Sequence, residues 1–505
     1  MAKLRSVGPH LAVFLVVVVG IIWAAPKVQQ NPDYDDDDVF TPVEGRENFD
    51  LFDWRLCKEL AAKEPGNVVV SPVSVKLVLA MLYEGARGNT AQELEKALHL
   101  PTSRLKSREM FTQVLKSLET KHSDFVLDIG TKVFLRKGVK LDTTFSKILR
   151  YFYNTDFQDL DFTEPSEAVR TVNSWVTSAT RGNIKSMFTE DMMESSTVMV
   201  LVNAIFFKGL WRYPFNKNNT VADKFRVTPT KSVETSYMHM ENYFYYSESV
   251  ELDSKIIRLP YMGEKYSMFI VLPKQPDGLG KLLKTVSPAI LRNQFFHMQK
   301  LPVDVLLPRF RFDFTIKLED ALQTLGIKDV FSESSADLSG VVKDNKIFVS
   351  RFFQKAGLEV NEEGTTAFAS TGTSIINRFG SDTDFYARHP FMFFIQDETT
   401  GTVIFVGKVV NPSTEKVQLR NHQKTPHIPP HGRFDNGSFR PDIPSSFEPH
   451  QVPFIAVPAS NDVIDHDKPV ISLKVWTYLY NVLLKTLQTK GVKSDDSEES
   501  LEKQI

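Results

Sequence analysis

Cysteine is almost missing: Cys57 is the only one in 505 residues. No intrachain disulfide is possible, so a domain of this size must be held by its core. Catalytic signatures are missing too. There is no GxSxG elbow, no P-loop, no GxGxxG turn and no HExxH pair, and an enzyme is not expected. The eleven histidines are scattered (His239, His297, and His422, His427 and His431 in a Pro-rich stretch), so no metal or other cofactor is expected. Charge of one sign is also lacking. Sixty Lys and Arg face 62 Asp and Glu, a net charge of −2, which offers nothing to nucleic acid or to a membrane surface. Beyond the first 25 residues no apolar run approaches the roughly 20 residues of a membrane span.

What is present is a globular composition, 42% hydrophobic and 24% charged. Residues 1–25 begin with Lys3 and Arg5, continue as LAVFLVVVVGIIW and leave through Ala24 and Ala25. That order is the pattern of a secretory signal peptide, and the apolar run of about thirteen is short for an uncleaved anchor. The protein is therefore expected to be secreted and extracellular. Residues 26–45 hold Asp33-Tyr34-Asp35-Asp36-Asp37-Asp38 and little that is apolar, and they read as a disordered acidic segment. It serves either as an interaction arm for a partner's basic exosite or as a solubilising leader.

Residues 46–415 read as one mixed domain. Helical patterns come early, in SVKLVLAMLYEGA, TAQELEKAL and DLFDWRLCKELAAK, where Cys57 reads as a packed thiol. Strand-like runs follow in FVLDIGTKVFL, VMVLVNAIFFKG, KIIRLPYM, YSMFIVLP and VDVLLPRFRFDF. Residues 416–468 are a Pro- and His-rich linker without a core. Residues 469–491 form an amphipathic helix (Ile471, Val475, Tyr478, Leu479, Val482, Leu483, Leu487), and 492–505 an acidic tail. Sequons at Asn218 and Asn436 are N-glycosylation candidates; Pro412 disqualifies Asn411.

The stretch Asn361 to Arg388, NEEGTTAFASTGTSIINRFGSDTDFYAR, is long for a structureless connection in a compact domain. Its first half hides an alternation. Thr365, Ala367, Ala369 and Thr371 are small residues at spacing two, with Thr366, Phe368, Ser370 and Gly372 between them. As a strand it would turn the small set to a crowded core and Phe368 outward.

EEGTTAFAS resembles the hinge of inhibitory serpins, and HPFMFFIQDETTGTVIFVGKVVNP their C-terminal strands. Further matches fall in order over roughly 370 residues, in NVVVSPVSVKLVLAMLYEGARGNTAQEL, VNSWVTSATRGNIKSMF, LVNAIFFKGLWRYPFN and LEDALQTLGIKDVFSESSADLSGV. The resemblance implies an α+β fold of helices and three β-sheets with an exposed reactive loop. It implies a hinge at Glu363, Gly364, Thr365, Thr366, Ala367, Phe368 and Ala369, and a scissile bond about fourteen residues beyond Gly364, at Arg378–Phe379. It places Ser71, Ser74 and Asn203 in a polar gate under the main sheet, and Trp211 where the loop first enters it. Gln354 stands where the family usually has histidine, so an acid-triggered gate is not expected.

The implied function is suicide inhibition of a trypsin-like serine protease by a monomeric, secreted serpin that regulates an extracellular cascade. Two alternatives remain. One is a non-inhibitory carrier or binding protein; the other is partner binding through the C-terminal extension. Arg104, Lys106, Arg108 and Lys116 fall where some serpins bind heparin-like chains, but Glu109 and Glu119 are interleaved, and a solvated face is the expectation.

Overall fold

The computed structural model describes residues 38–42, 47–118, 124–343, 346–364 and 383–413. The expected signal peptide, linker, amphipathic helix and acidic tail lie outside the described residues, as do Asn436, Thr365 to Ala369, Arg378 and Phe379. The chain divides into two units, Met1–Gln423 and Lys424–Ile505, and only the first contains described residues. Among the described residues no helix is long and apolar enough to cross a membrane.

The helices are α1 (Glu47–Lys63), α2 (Pro72–Gly85), α3 (Gly88–Leu98), α4 (Arg104–Leu118), α5 (Thr143–Tyr153), α6 (Pro165–Ala179), α7 (Leu279–Thr285), α8 (Pro288–Phe296) and α9 (Glu319–Thr324). The strands up to the middle of the chain are β1 (Val68–Val70), β2 (Phe125–Arg136), β3 (Phe157–Leu160), β4 (Met199–Gly209), β5 (Val221–Thr228) and β6 (Lys231–Ser249). Eight more follow: β7 (Ser254–Pro260), β8 (Tyr266–Pro273), β9 (Gln299–Pro308), β10 (Phe310–Lys317), β11 (Arg351–Val360), β12 (Thr383–Tyr386), β13 (Phe391–Asp397) and β14 (Val403–Val409).

The α+β class stands, with one difference in the count of sheets. Strands pair into a nine-stranded sheet, β1-β14-β13-β8-β7-β6-β9-β12 with β5 on β6, and a five-stranded sheet, β10-β11-β4-β2-β3. Three sheets were expected. The 19 residues of β6 run unbroken past β5, β9 and β7, which joins two smaller sheets into one ladder. The run VDVLLPRFRFDF also differs from a single strand. Pro308 has no N–H to donate, so pairing breaks there: β9 ends in the large sheet and β10 begins in the small one.

Helix α2 lies between the sheets, touching β14 on one side and β4 and β2 on the other. Every residue of it is buried, which matches an apolar run with no polar face. Its two charges are paired inside: Lys76 with Asp53 at 2.7 Å, and Glu84 with Arg108 at 2.7 Å. Cys57 on α1 is buried, and that burial pushes its thiol up to about 12, as expected of an inert packing residue. On the far face of β4 a second core (Phe134, Val172, Val176, Val202, Phe206) is covered by α6. Strand β4 is therefore buried on both faces, which is why it reads as continuous apolar sequence.

The acidic segment ends differently from the expectation. Asp38 is 4% exposed; its carboxylate accepts from Arg258 at 2.8 Å, and Arg258 also binds Glu398 at 2.6 Å. Phe40 packs edge-on against Tyr245, with centroids 5.6 Å apart, under the Arg258 guanidinium. At least this end of the segment is anchored, because burying an Arg without a carboxylate would cost several kcal/mol.

Candidate functional site

The site grows from one seam. Strands β11 and β4 pair in parallel through the middle of the five-stranded sheet, from Arg351↔Val200 to Leu358↔Phe207. Their outer neighbours, β10 and β2, are antiparallel to them. Parallel ladders are slightly weaker per residue than antiparallel ones. A strand inserted between β11 and β4, running against both, would replace one parallel ladder by two antiparallel ones.

The chain is already turned for such a strand. After β11, residues Asn361–Gly364 reverse direction, with an antiparallel bridge between Asn361 and Gly364. The Gly364 N–H donates to the Asn361 carbonyl at 3.2 Å, and Gly364 sits at φ +84°, in the left-handed region. The turn is held against the end of β4. Trp211 donates Nε1–H to the Asn361 carbonyl at 2.8 Å and its backbone N–H to the Glu363 carbonyl at 3.3 Å. Its ring stacks on Tyr261, 4.4 Å between centroids and 10° apart. The buried Glu362 accepts from the Phe215 N–H at 2.8 Å and from Thr220 Oγ1 at 2.7 Å, with Arg309 at 3.6 Å. Lys217 pairs with Glu363.

The residues read as a gate meet at the middle of the seam. Gln354 and Asn203 face each other in register across it, both fully buried. The Gln354 carboxamide oxygen accepts from the Ser71 N–H at 2.8 Å; its Nε2 lies 3.0 Å from the Ser71 carbonyl and 2.9 Å from both Ser74 Oγ and Asn203 Oδ1. Ser74 Oγ donates to Asn203 Oδ1 at 2.7 Å, and Asn203 Nδ2 donates to Thr131 Oγ1 at 3.0 Å. The cluster ties β11, β4 and β2 to the first turn of α2. The Gln354–Asn203 bond crosses the seam directly, and Ser74 Oγ contacts both of its side chains.

Gln354→Leu should leave the Ser71 N–H unpaired and lower the stability of the intact protein by roughly 1–3 kcal/mol. The midpoint of urea unfolding measures it; an unchanged midpoint would mean that the amide bonds contribute nothing net. The gate contains no titrating side chain, so no break in its opening near pH 6–7 is expected.

Of the four basic residues on α4, two are taken. Arg104 bonds the carbonyls of Tyr83 and Ala86 and lies over the Tyr83 ring at 4.2 Å. Arg108 chelates Glu84, whose carboxylate also accepts from Tyr153 at 3.0 Å and holds the guanidinium above its ordinary range. Lys106 and Lys116 remain exposed. Sequence reasoning missed this pairing, because Glu84 hides at the end of an apolar helix and shows no surface pattern. It also missed the latch residues Lys217, Thr220 and Arg309, which are remote in sequence from the hinge.

The family model described as Serpin (serine protease inhibitor) matches residues 47–412. Serine protease inhibitor 2 of Anopheles gambiae is 34% identical over 387 residues, 74% of this chain and 94% of that relative. Among solved structures, Serpin48 of Tenebrio molitor superposes with a TM-score of 0.64 at 29% identity, covering 72% of this chain and 97% of that one. Human thyroxine-binding globulin, solved with thyroxine, gives 0.67 at 28%, covering 72% and 97%. The chain belongs to the serpin family, the family of serine protease inhibitors.

Proposed function

We propose that this serpin is secreted and acts as a suicide inhibitor of trypsin-like serine proteases, with Arg378–Phe379 as the bait bond. The observation that carries the reading is the parallel β4–β11 seam with the chain already reversed at its end by Asn361–Gly364. Trypsin-like proteases keep an Asp at the base of the specificity pocket, and Arg pairs with carboxylate through two parallel charge-assisted bonds. The protease serine Oγ attacks the Arg378 carbonyl, an ester forms, and the peptide nitrogen of Phe379 leaves with the proton. The loop from Gly364 then enters the seam before water reaches the ester, its small set, Thr365, Ala367 and Ala369, turned to the core.

The distances suit the task. Fourteen extended residues span roughly 46 Å. A domain of this length is about 50 Å across. Insertion would carry a tethered protease from one pole to the other. The N-terminal 25 residues, with their charged start and small-residue exit, support secretion into an extracellular cascade.

A small-molecule carrier, as the thyroxine complex illustrates for another family member, fits less well. Bulky or charged residues in the hinge would favour a carrier; here Thr365, Ala367 and Ala369 are small residues at spacing two, which suits insertion. Incubation with trypsin separates the readings. A complex that survives SDS and migrates at the summed mass is expected; cleavage at Arg378 with the protease recovered fully active would make the protein a substrate and overturn the proposal.

A further inference from the structure

The latch that holds the hinge contains a residue with a second chemistry. Thr220, whose hydroxyl donates to Glu362 at 2.7 Å, is also the third residue of the sequon Asn218-Asn219-Thr220. Asn218 lies in a single turn, Lys217–Asn219, capped by Asn216, whose side chain accepts from the Asn218 N–H at 2.9 Å. The Asn218 side chain is exposed, and among the described residues its amide makes no hydrogen bond. Beside it opens a cleft of about 470 Å³ lined by Lys217, Thr220, Arg309, Asn361, Glu362 and Glu363. That volume is within the range that receives small ligands, and every lining residue carries a polar group that can meet a sugar hydroxyl, while the side-chain stems offer apolar surface to the ring face.

We propose that Asn218 carries an N-linked glycan whose first sugar seats in this cleft and holds the hinge turn closed. The bond forms from Asn218 Nδ2 to the anomeric carbon of N-acetylglucosamine on a lipid diphosphate donor. The lipid diphosphate leaves, and one amide proton is lost to the transferring enzyme. Sugar hydroxyls and the acetamide then reach Lys217, Asn361 and Glu363, three groups that fix the Asn361–Gly364 turn. Thr365 follows that turn in the chain, so the glycan acts on the step that begins insertion. The proposal rests on secretion, because the donor is met only in the secretory lumen.

The reporters are two backbone amides that the latch protects, the N–H groups of Trp211 and Phe215, which donate to Glu363 and Glu362. The full chain is produced in a secreting animal cell, alongside Asn218→Gln, which removes the acceptor but keeps the Thr220–Glu362 bond, and Thr220→Ser, which keeps both. Mass spectrometry is expected to find the glycan on Asn218 in the parent and in Thr220→Ser. Hydrogen exchange over residues 211–215 is expected to run about threefold faster in Asn218→Gln than in either of them. A secreted chain with bare Asn218, or a glycosylated parent exchanging at the same rate as Asn218→Gln, overturns the proposal. A retained chain, bare at both Asn218 and Asn436 and still bearing residues 1–25, overturns it through the secretion reading, and the two failures are distinct.

Discussion

Arg378→Ala is expected to abolish covalent complexes with trypsin-like proteases while leaving the fold intact. The assignment counts fourteen residues from Gly364, which the structure fixes at the end of the seam. Removing the guanidinium leaves the protease's pocket aspartate desolvated and unpaired. Loss of one partner of such a buried pair costs about 2–5 kcal/mol, some 30- to 4,000-fold in the second-order rate of attack on the bait bond. The released C-terminal peptide of the parent should begin at Phe379 by mass spectrometry. A different new N-terminus, or an Ala variant that complexes trypsin as fast as the parent, would move the bait bond elsewhere. Unfolding of the variant should be unchanged, which separates loss of recognition from loss of structure.

How much of this was legible beforehand follows from the range of each interaction. Strands β4, β8 and β13 are buried on both faces, so their apolar runs announce them whatever lies around them. Ser71, Ser74, Asn203, Gln354 and Trp211 were found through the family pattern; composition alone says nothing of a polar cluster drawn from three distant stretches. Their hydrogen bonds are a finding of the structure. The ion pairs were opaque. Asp38 sits in a run of like charges that reads as solvent-facing, and its partner Arg258 is 220 residues away. Arg108 alternates with other charges on α4 and looks like surface, yet Glu84 claims it. Lys76 breaks an apolar helix for no visible reason until Asp53 on α1 is placed beside it. The split of the β9–β10 run was readable from Pro308, but the run of β6 past three partner strands in one sheet was not, because nothing in an alternating sequence marks where a partner strand changes.

The hinge glycine gives a test of whether the seam is the place of insertion. Gly364 has φ +84°, and a Cβ built on it would lie 2.3 Å from the Gly209 carbonyl oxygen and 2.4 Å from the Trp211 nitrogen. Those neighbours are backbone at the end of β4 and cannot swing aside. Gly364→Ala should therefore destabilise the intact form by about 1–3 kcal/mol through its backbone conformation alone, with more from the contact. In an inserted strand the same residue is extended, φ near −140°, where alanine is unstrained and glycine is the weaker choice. The substitution thus acts on one state only. The intact variant should unfold earlier in denaturant and convert faster, on standing, to a form that no longer traps protease. After cleavage by trypsin, variant and parent should unfold together. If the cleaved forms differ by as much as the intact ones, residue 364 keeps its left-handed turn after cleavage, and the strand does not start where the seam ends.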